Sequence, residues 1–305
     1  MRRRSHWGWG HEDAVLSAEQ ARAAAPGIAE HLRMAVADVE EPVALADVRL
    51  PAPRVAPPPG LAAICSSDAH ARASHAWGRS YSDVVRGFHG RFDFPPDVVA
   101  RPRDERDVEA VLTWAAGAGV AVVPYGGGTS VAGGVQCEIP ARLNGAVSLD
   151  LGALDRVLEV DAVSRAARIQ AGAAGPVLEE QLAAQGLTMR FYPQSFEFST
   201  LGGWIATRAG GHFATVETHV DDLVESVRAL TPSGAWESRR LPGSGAGVSP
   251  DRMLLGSEGI LGVITEAWVK VRPRPRARSS AGVRFTEFDR GAEALRAIAQ
   301  SGLRP

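Results

Sequence analysis

The sequence predicts an α+β protein, and three observations carry that expectation. Short apolar strands bounded by turn residues recur between residues 97 and 273. Helical stretches with one apolar face fall among them at 104–117 and 175–185. Glycine-, serine- and threonine-rich segments at 124–134, 193–211 and 256–266 interrupt these elements.

Taken in order, residues 1 to 90 are irregular in pattern. "PAPRVAPPPG" at 51–60 holds five prolines and must be extended or looped. Trp7 and Trp9 in "WGWG" are expected to dock as an apolar clasp. A strand at 97–100 leads to a helix with Asp104 as N-cap, with Val108, Val111, Leu112 and Ala115 on one face and Gly117 or Gly119 near its end. "VAVVP" is a buried strand that runs into the first glycine segment. Strands follow at 146–150, 157–160 and 166–171, then a helix at 175–185 ending near Gly186. "LVESVRALTPSGAW" reads as two strands joined by a Pro-Ser-Gly turn. "DRMLLGSEG" reads as helix, "GVITEAWVKVRP" as strand, and Arg272 to Arg278 as an arginine/proline linker. Beyond it, 281–305 reads as a strand and an amphipathic helix, too little to bury its own core.

Composition narrows the function. The 305 residues carry a net charge of -2, with 45% hydrophobic and 22% charged residues, as in ordinary soluble domains and with no global basic field for nucleic acid. Two cysteines outside any CxxC suit a reducing compartment, the cytoplasm. The arginine-rich start lacks the apolar core of a secretory signal. The uncharged stretch 110–137 is broken by glycine and proline far short of the ~20 apolar residues that a membrane span needs. The eight histidines show no HExxH or His-x-His spacing, and no G-x-S-x-G elbow occurs. Asp221, beside His219 and Asp222, is expected to cap a turn rather than to serve as part of a catalytic base.

The first glycine segment, "PYGGGTSVAGG", lacks the lysine of a P-loop, and Val131 stands where a dinucleotide fingerprint needs its third glycine. "GSGAG" at 243–247 follows no strand and reads as a surface loop. A run of backbone N–H groups in a glycine-rich turn can cradle an anion without any formal charge. Thr129 and Ser130 would add hydroxyl donors. A tight turn with no ligand explains a single such segment equally well. The other two segments, with Ser195, Ser199, Thr200, Gly202, Gly203 and Thr207 in one and the glycines of "GSEGILG" in the other, favour an extended ligand with a central diphosphate.

In this order, "PYGGGTSV", "SFEFSTLGGWIATRAGG" and "LLGSEGILGVITEAWVKVRP" resemble the flavin-binding region of the vanillyl-alcohol oxidase / p-cresol methylhydroxylase superfamily. The likeness covers roughly residues 77 to 305 and is greatest to alkylglycerone-phosphate (alkyl-dihydroxyacetonephosphate) synthases and similar bacterial FAD-linked oxidases. It implies an FAD-binding p-cresol methylhydroxylase-type domain of two α+β subdomains at 94–274. An N-terminal arm at 1–93 would precede it, and the beginning of a truncated cap domain at 275–305 would follow.

The resemblance further implies that Pro124, Tyr125, Gly126, Gly127, Gly128, Thr129 and Ser130 hold the FAD diphosphate. Gln194, Ser195, Phe196, Glu197, Phe198, Ser199 and Thr200, with Gly203, Thr207, Arg208, Ala209 and Gly210, would line the flavin and its phosphate arm. Glu258, Gly259, Ile260, Leu261, Gly262, Val263 and Ile264 would hold the adenosine side. The chain departs from the synthase pattern at Gln194, where Asp is frequent, and near Gly210, where a serine is expected. Gly128-Thr129 replaces the histidine that attaches flavin covalently in some relatives, so FAD is expected to bind non-covalently. His212 is expected to be structural or to hydrogen-bond the flavin edge.

The implied activity is exchange of an acyl chain for a fatty alcohol on dihydroxyacetone phosphate. The alternatives are oxidation of a 2-hydroxy acid such as lactate or glycolate, and a non-catalytic FAD-binding fragment. The catalytic residues implied by the resemblance lie in the cap, so none is assigned here. A small-molecule substrate is expected and nucleic acid is not; a homodimer and a peripheral membrane contact are compatible with the sequence.

Overall fold

The computed structural model describes residues 3–36, 38–212, 218–241, 247, 249–277 and 279–302. The chain divides into two compact units, Met1–Ala153 and Leu154–Pro305.

The first unit contains α1 (Ala18–Leu32), β1 (Cys65–Ser66), α2 (Ala69–Ser74), α3 (Tyr81–Phe88), β2 (Val98–Ala100), α4 (Glu105–Ala118), β3 (Val120–Tyr125) and β4 (Gly145–Asp150). Its sheet runs β1-β2-β4-β3, with β2, β4 and β3 parallel and β1 antiparallel to β2. Val98, Val99, Ala100, Ala146, Val147 and Leu149 are fully buried, as continuous apolar runs in a parallel sheet should be. Helix α4 is capped by Asp104, whose side chain accepts from the Asp107 N–H, and ends on Gly119 in the left-handed region. Of its predicted face, Val108, Val111 and Ala115 are buried and Leu112 is half-buried.

Residues before 93 are more regular than their pattern predicts. Capping boxes at Ser17/Gln20 and Ser80/Asp83 start α1 and α3, and Asp68 caps α2. The proline-rich stretch is fastened to the sheet through Arg54, whose backbone N–H donates to Asp97 at 2.7 Å while its guanidinium pairs with the same carboxylate. Asp97 also accepts the Ala146 N–H at 2.7 Å. Trp7 packs edge-on against Phe88, and Trp9 is 43% exposed.

The second unit contains β5 (Val157–Asp161), β6 (Ala166–Gln170), α5 (Gly175–Ala183), β7 (Leu187–Thr188), α6 (Leu201–Thr207), β8 (Val224–Thr231), β9 (Gly234–Glu237), α7 (Asp251–Leu254), β10 (Val263–Lys270), β11 (Arg272–Pro273) and α8 (Phe288–Gln300). A five-stranded antiparallel sheet runs β5-β6-β10-β8-β9. Leu178, Leu182, Leu201, Trp204, Ile205, Val227, Ile264 and Val269 join its buried core. The β8–β9 hairpin turns through Pro232 and Ser233, as predicted.

Several local expectations are corrected. The helix at "DRMLLGSEG" stops at Leu254, because Gly256, Glu258 and Gly259 all take positive φ. The expected linker begins as a strand: β11 pairs antiparallel with β7. No strand forms at 279–286 among the described residues; helix α8 forms alone, with no buried residue.

Candidate functional site

In the first unit, β3 is an edge strand, which tolerates Pro124. The strand ends at buried Tyr125, whose hydroxyl donates to the Ser74 carbonyl at 3.2 Å. Gly128 then takes φ +65, and a Cβ there would lie 2.0 Å from the Tyr125 hydroxyl. Glycine is therefore required by both conformation and space. Ser130 Oγ accepts the N–H groups of Ala132 and Gly134 at 3.3 and 3.0 Å and closes the turn. The Ser130 carbonyl accepts the Arg79 N–H at 2.7 Å. The Gly127 carbonyl accepts from Arg4 Nη2 at 3.2 Å.

The consequence lies in the donors. Among the described residues, the backbone N–H groups of Gly126, Gly127, Gly128, Thr129 and Ser130 donate to no protein acceptor. Buried polar backbone is normally paired; here Gly128 is buried and its neighbours half-buried, and a consecutive run of such donors fits an anionic group such as a diphosphate.

Behind this loop, His75 is buried with Nδ1 2.7 Å from the Ala71 carbonyl and Nε2 3.2 Å from Asp150 Oδ2. Its ring centroid lies 4.2 Å from that of Tyr125. Arg101 Nε also reaches Asp150 Oδ2 at 3.2 Å. Burial opposes ionisation of Asp150, but the hydrogen bond and charge of His75, the Gly152 N–H and Arg101 outweigh it and hold the carboxyl below the usual range. Burial pushes the Tyr125 phenol up.

The second and third segments lie in the other unit. Residues 193–199 form a tight turn in which the Phe196 N–H donates to Pro193 and those of Phe198 and Ser199 to Ser195. Ser199 Oγ donates to the Ser195 carbonyl at 2.8 Å and accepts from Trp204 Nε1 at 2.7 Å. Thr200 caps α6 by accepting the Gly203 N–H, and Thr207 Oγ1 donates to the Gly203 carbonyl. Gln194 and Glu197 are exposed and Phe196 and Phe198 half-buried. The hydroxyls of Ser199 and Thr200 are thus first of all structural, holding the turn against the helix.

Gly202 packs where a Cβ would sit 2.8 Å from Ala171 Cβ, and Gly175 where it would sit 2.4 Å from the Phe196 ring and carbonyl. Arg208 ends α6 at φ 51, Ala209 donates to the Trp204 carbonyl, and Gly210 bridges His219. The His212 N–H donates to the Tyr192 carbonyl at 2.7 Å.

The third segment docks directly on the second. Gly256 and Glu258 donate their N–H groups to the carbonyls of Ile205 and Ala206 at 3.0 and 2.9 Å. Glu258 and Gly259 take φ 53 and 83, turning the chain into Gly262 and β10. A Cβ at Gly262 would meet the Leu230 carbonyl at 2.7 Å. Val263 and Ile264 are buried in the sheet, whereas Ile260 is 83% exposed and Leu261 lies at the surface.

Asp221 is not the cap that the sequence suggested. Asp222 does that work, accepting from the N–H of Thr218 at 3.1 Å and of His219 at 3.4 Å. Asp221 is buried, and its Oδ2 accepts from Arg208 Nη2 at 2.6 Å and Arg252 Nη1 at 2.8 Å. Burial opposes its ionisation, but the two arginines hold its carboxyl below the usual range. Sequence reasoning missed Arg4, Gly78, Arg79, His75 and Asp150 around the first loop; the only local signal was the Ser80/Asp83 capping box that places Arg79. No group of three or more metal-ligating side chains occurs among the described residues. Burial pushes the Cys65 thiol up to about 11 and the Cys137 thiol up to about 12, so neither is a ready nucleophile.

Comparison with known proteins gives the class. Residues 96–238 match the family described as FAD binding domain, which gives that stretch its class. It is 38% identical over 238 residues to an alkyldihydroxyacetonephosphate synthase of Dictyostelium discoideum, covering 78% of this chain and 39% of that protein. A solved structure of an alkyldihydroxyacetonephosphate synthase superimposes with a TM-score of 0.83 at 29% identity, covering 98% of this chain and 60% of the other. A mitochondrial D-lactate dehydrogenase (cytochrome) of Arabidopsis thaliana is 31% identical over 211 residues, 68% of this chain and 36% of that one. The chain spans well under half the length of these curated relatives.

Proposed function

We propose that this chain is the FAD-binding portion of an alkylglycerone-phosphate synthase, which exchanges the acyl chain of an acylated dihydroxyacetone phosphate for a fatty alcohol. The single observation that carries the binding reading is the run of N–H donors at Gly126–Ser130 with no protein acceptor, in a chain 38% identical to such a synthase. In this reading Pro124–Ser130 hold the diphosphate. Gln194–Thr200, Gly203 and Thr207–Gly210 contact the flavin and its phosphate arm, and Glu258–Ile264 the adenosine side.

When bound, FAD supplies the electron-accepting ring, and the protein's contribution is placement and electrostatics. The N–H donors bind the diphosphate, while the Ser199–Trp204 hydrogen bond fixes the turn before α6. No histidine lies within Gly126–Ser130, so FAD is held non-covalently. The two cysteines outside any CxxC support a cytoplasmic location; among the described residues no helix is long and apolar enough to cross a membrane.

The test is the purified chain incubated with excess FAD and freed of unbound cofactor by gel filtration. Retained flavin absorbance, with intact FAD released on heating, supports the reading; colourless protein overturns it. Similarity to a D-lactate dehydrogenase supports a second reading, oxidation of a 2-hydroxy acid. Anaerobic bleaching of the flavin by lactate or glycolate would favour it, and a flavin-loaded chain inert to every substrate would favour a non-catalytic role.

A further inference from the structure

Arg79 is 3% exposed and lies against the glycine loop. Its N–H donates to the Ser130 carbonyl at 2.7 Å. The approach is so close that a Cβ on the preceding Gly78 would lie 2.1 Å from the same oxygen. The guanidinium donates only to carbonyls: Nη1 to Trp77 at 3.1 Å and Gly78 at 2.7 Å, and Nη2 to Ser5 at 3.3 Å. Its Nε is buried with no partner. Among the described residues no ion pair joins Arg79 to a carboxylate.

Carbonyl dipoles satisfy a guanidinium's hydrogens but leave its charge. A buried arginine is ordinarily paired, because moving an unpaired charge out of water is strongly unfavourable. The buried Asp83, whose Oδ2 would lie 3.3 Å from a Cβ on Gly78, is already engaged by the Ser80 N–H and by Arg86. Arg4 adds a second cation on the Gly127 carbonyl, and Asp150 is already engaged by His75 and Arg101. Burial pushes the Arg4 guanidinium below its ordinary value, and the charge of Arg79 adds to that effect.

We propose that Arg79 is the fixed counter-charge for an anionic diphosphate bound at the Gly126–Ser130 loop. The inference rests on the FAD reading and assigns separate tasks within it. The loop N–H groups supply directional hydrogen bonds, and the buried guanidinium supplies a positive potential that solvent screens little. A charge held ready for a ligand weakens the ligand-free protein, and that makes the role testable.

The experiment uses the full chain with Arg79→Gln, which keeps N–H donors for the neighbouring carbonyls and removes the charge. FAD, inorganic pyrophosphate and riboflavin are titrated separately, and melting temperature is measured without ligand. The expected result is an FAD Kd raised about tenfold or more, with a parallel loss for pyrophosphate, unchanged riboflavin binding, and a ligand-free melting temperature equal to or above the parent's. Arg79→Lys should restore most of the FAD affinity. If Arg79→Gln melts lower or fails to fold, or binds FAD as the parent does, the residue is structural and the proposal falls. A parent chain that binds no FAD overturns the FAD reading itself, a separate outcome.

Discussion

His75 Nε2 lies 3.2 Å from Asp150 Oδ2, while the other ring nitrogen faces the Ala71 carbonyl at 2.7 Å. Both nitrogens thus lie within hydrogen-bond reach of an oxygen acceptor. Asp150 ends β4 opposite Tyr125, so this contact ties the sheet to α2 directly behind the glycine loop. The Asp150 carboxyl is held below its usual range, so its contribution to stability is present above the unfolded value of about 4 and is lost as pH falls through the lower, folded value. Acid unfolding followed by circular dichroism should show this loss. Asp150→Asn should remove it and lower stability at neutral pH by about 1.5–3 kcal/mol. An unchanged acid limb in the variant would contradict the assignment.

Gly128→Ala tests whether loop shape, apart from charge, governs binding. The added Cβ meets the Tyr125 hydroxyl at 2.0 Å and ring carbons at 2.4 and 2.9 Å, at φ +65. Left-handed backbone alone costs a non-glycine residue about 1–2 kcal/mol. Because ring atoms clash as well as the hydroxyl, Tyr125→Phe should not rescue the variant. The expected outcome is FAD affinity reduced at least about tenfold with a lower melting temperature, measured by flavin fluorescence titration and thermal unfolding.

The Asp221 cluster makes an asymmetric prediction. Arg208 and Arg252 keep most of their surface in water, with 59% and 52% of their side chains exposed, whereas the Asp221 side chain is 6% exposed. Removing the carboxylate releases two arginines that water can solvate. Removing both arginines leaves a buried, unpaired charge, which costs about 3–5 kcal/mol. Asp221→Asn should therefore destabilise less than the Arg208→Ala/Arg252→Ala double variant in urea unfolding. The double variant should in addition gain stability as pH falls toward the carboxylate range, where Asp221 takes up a proton.

Much of the fold was legible because its signals are local. Asp104 three residues before Asp107, the alternation around Pro232-Ser233, and "VAVVP" running into glycines each encode their geometry within a few residues. Helix α1 was illegible because alanine dominates it and only Ala29 is buried, which leaves no apolar stripe to read. Strand β11 was read as linker because its partner Leu187–Thr188 is far away in sequence. At the candidate site, the glycine and hydroxyl segments could be found by composition. Arg79 could not, since its importance comes from burial against Ser130 and from the absence of a paired carboxylate among the described residues. Asp221 and Asp222 are adjacent and chemically alike, and only the path of the chain decides which one caps and which one pairs.

Gly202 separates tertiary packing from helix propensity. It lies in α6, where alanine is intrinsically better than glycine by about 1 kcal/mol, so propensity alone predicts that Gly202→Ala stabilises. The structure predicts the reverse. The new Cβ would sit 2.8 Å from Ala171 Cβ and 3.0 Å from the Ala171 carbonyl, backbone that the neighbouring strand holds in place. The Gly202 N–H donates to that same carbonyl at 2.7 Å, so pushing the helix away also breaks a hydrogen bond in the core. Overpacking typically costs about 1–3 kcal/mol, enough to overcome the propensity gain. Gly203→Ala is the control, because its nearest neighbour is the Thr200 hydroxyl at 3.3 Å. Urea unfolding should show Gly202→Ala to be the more destabilised of the two; equal stabilities would mean that α6 is free to shift.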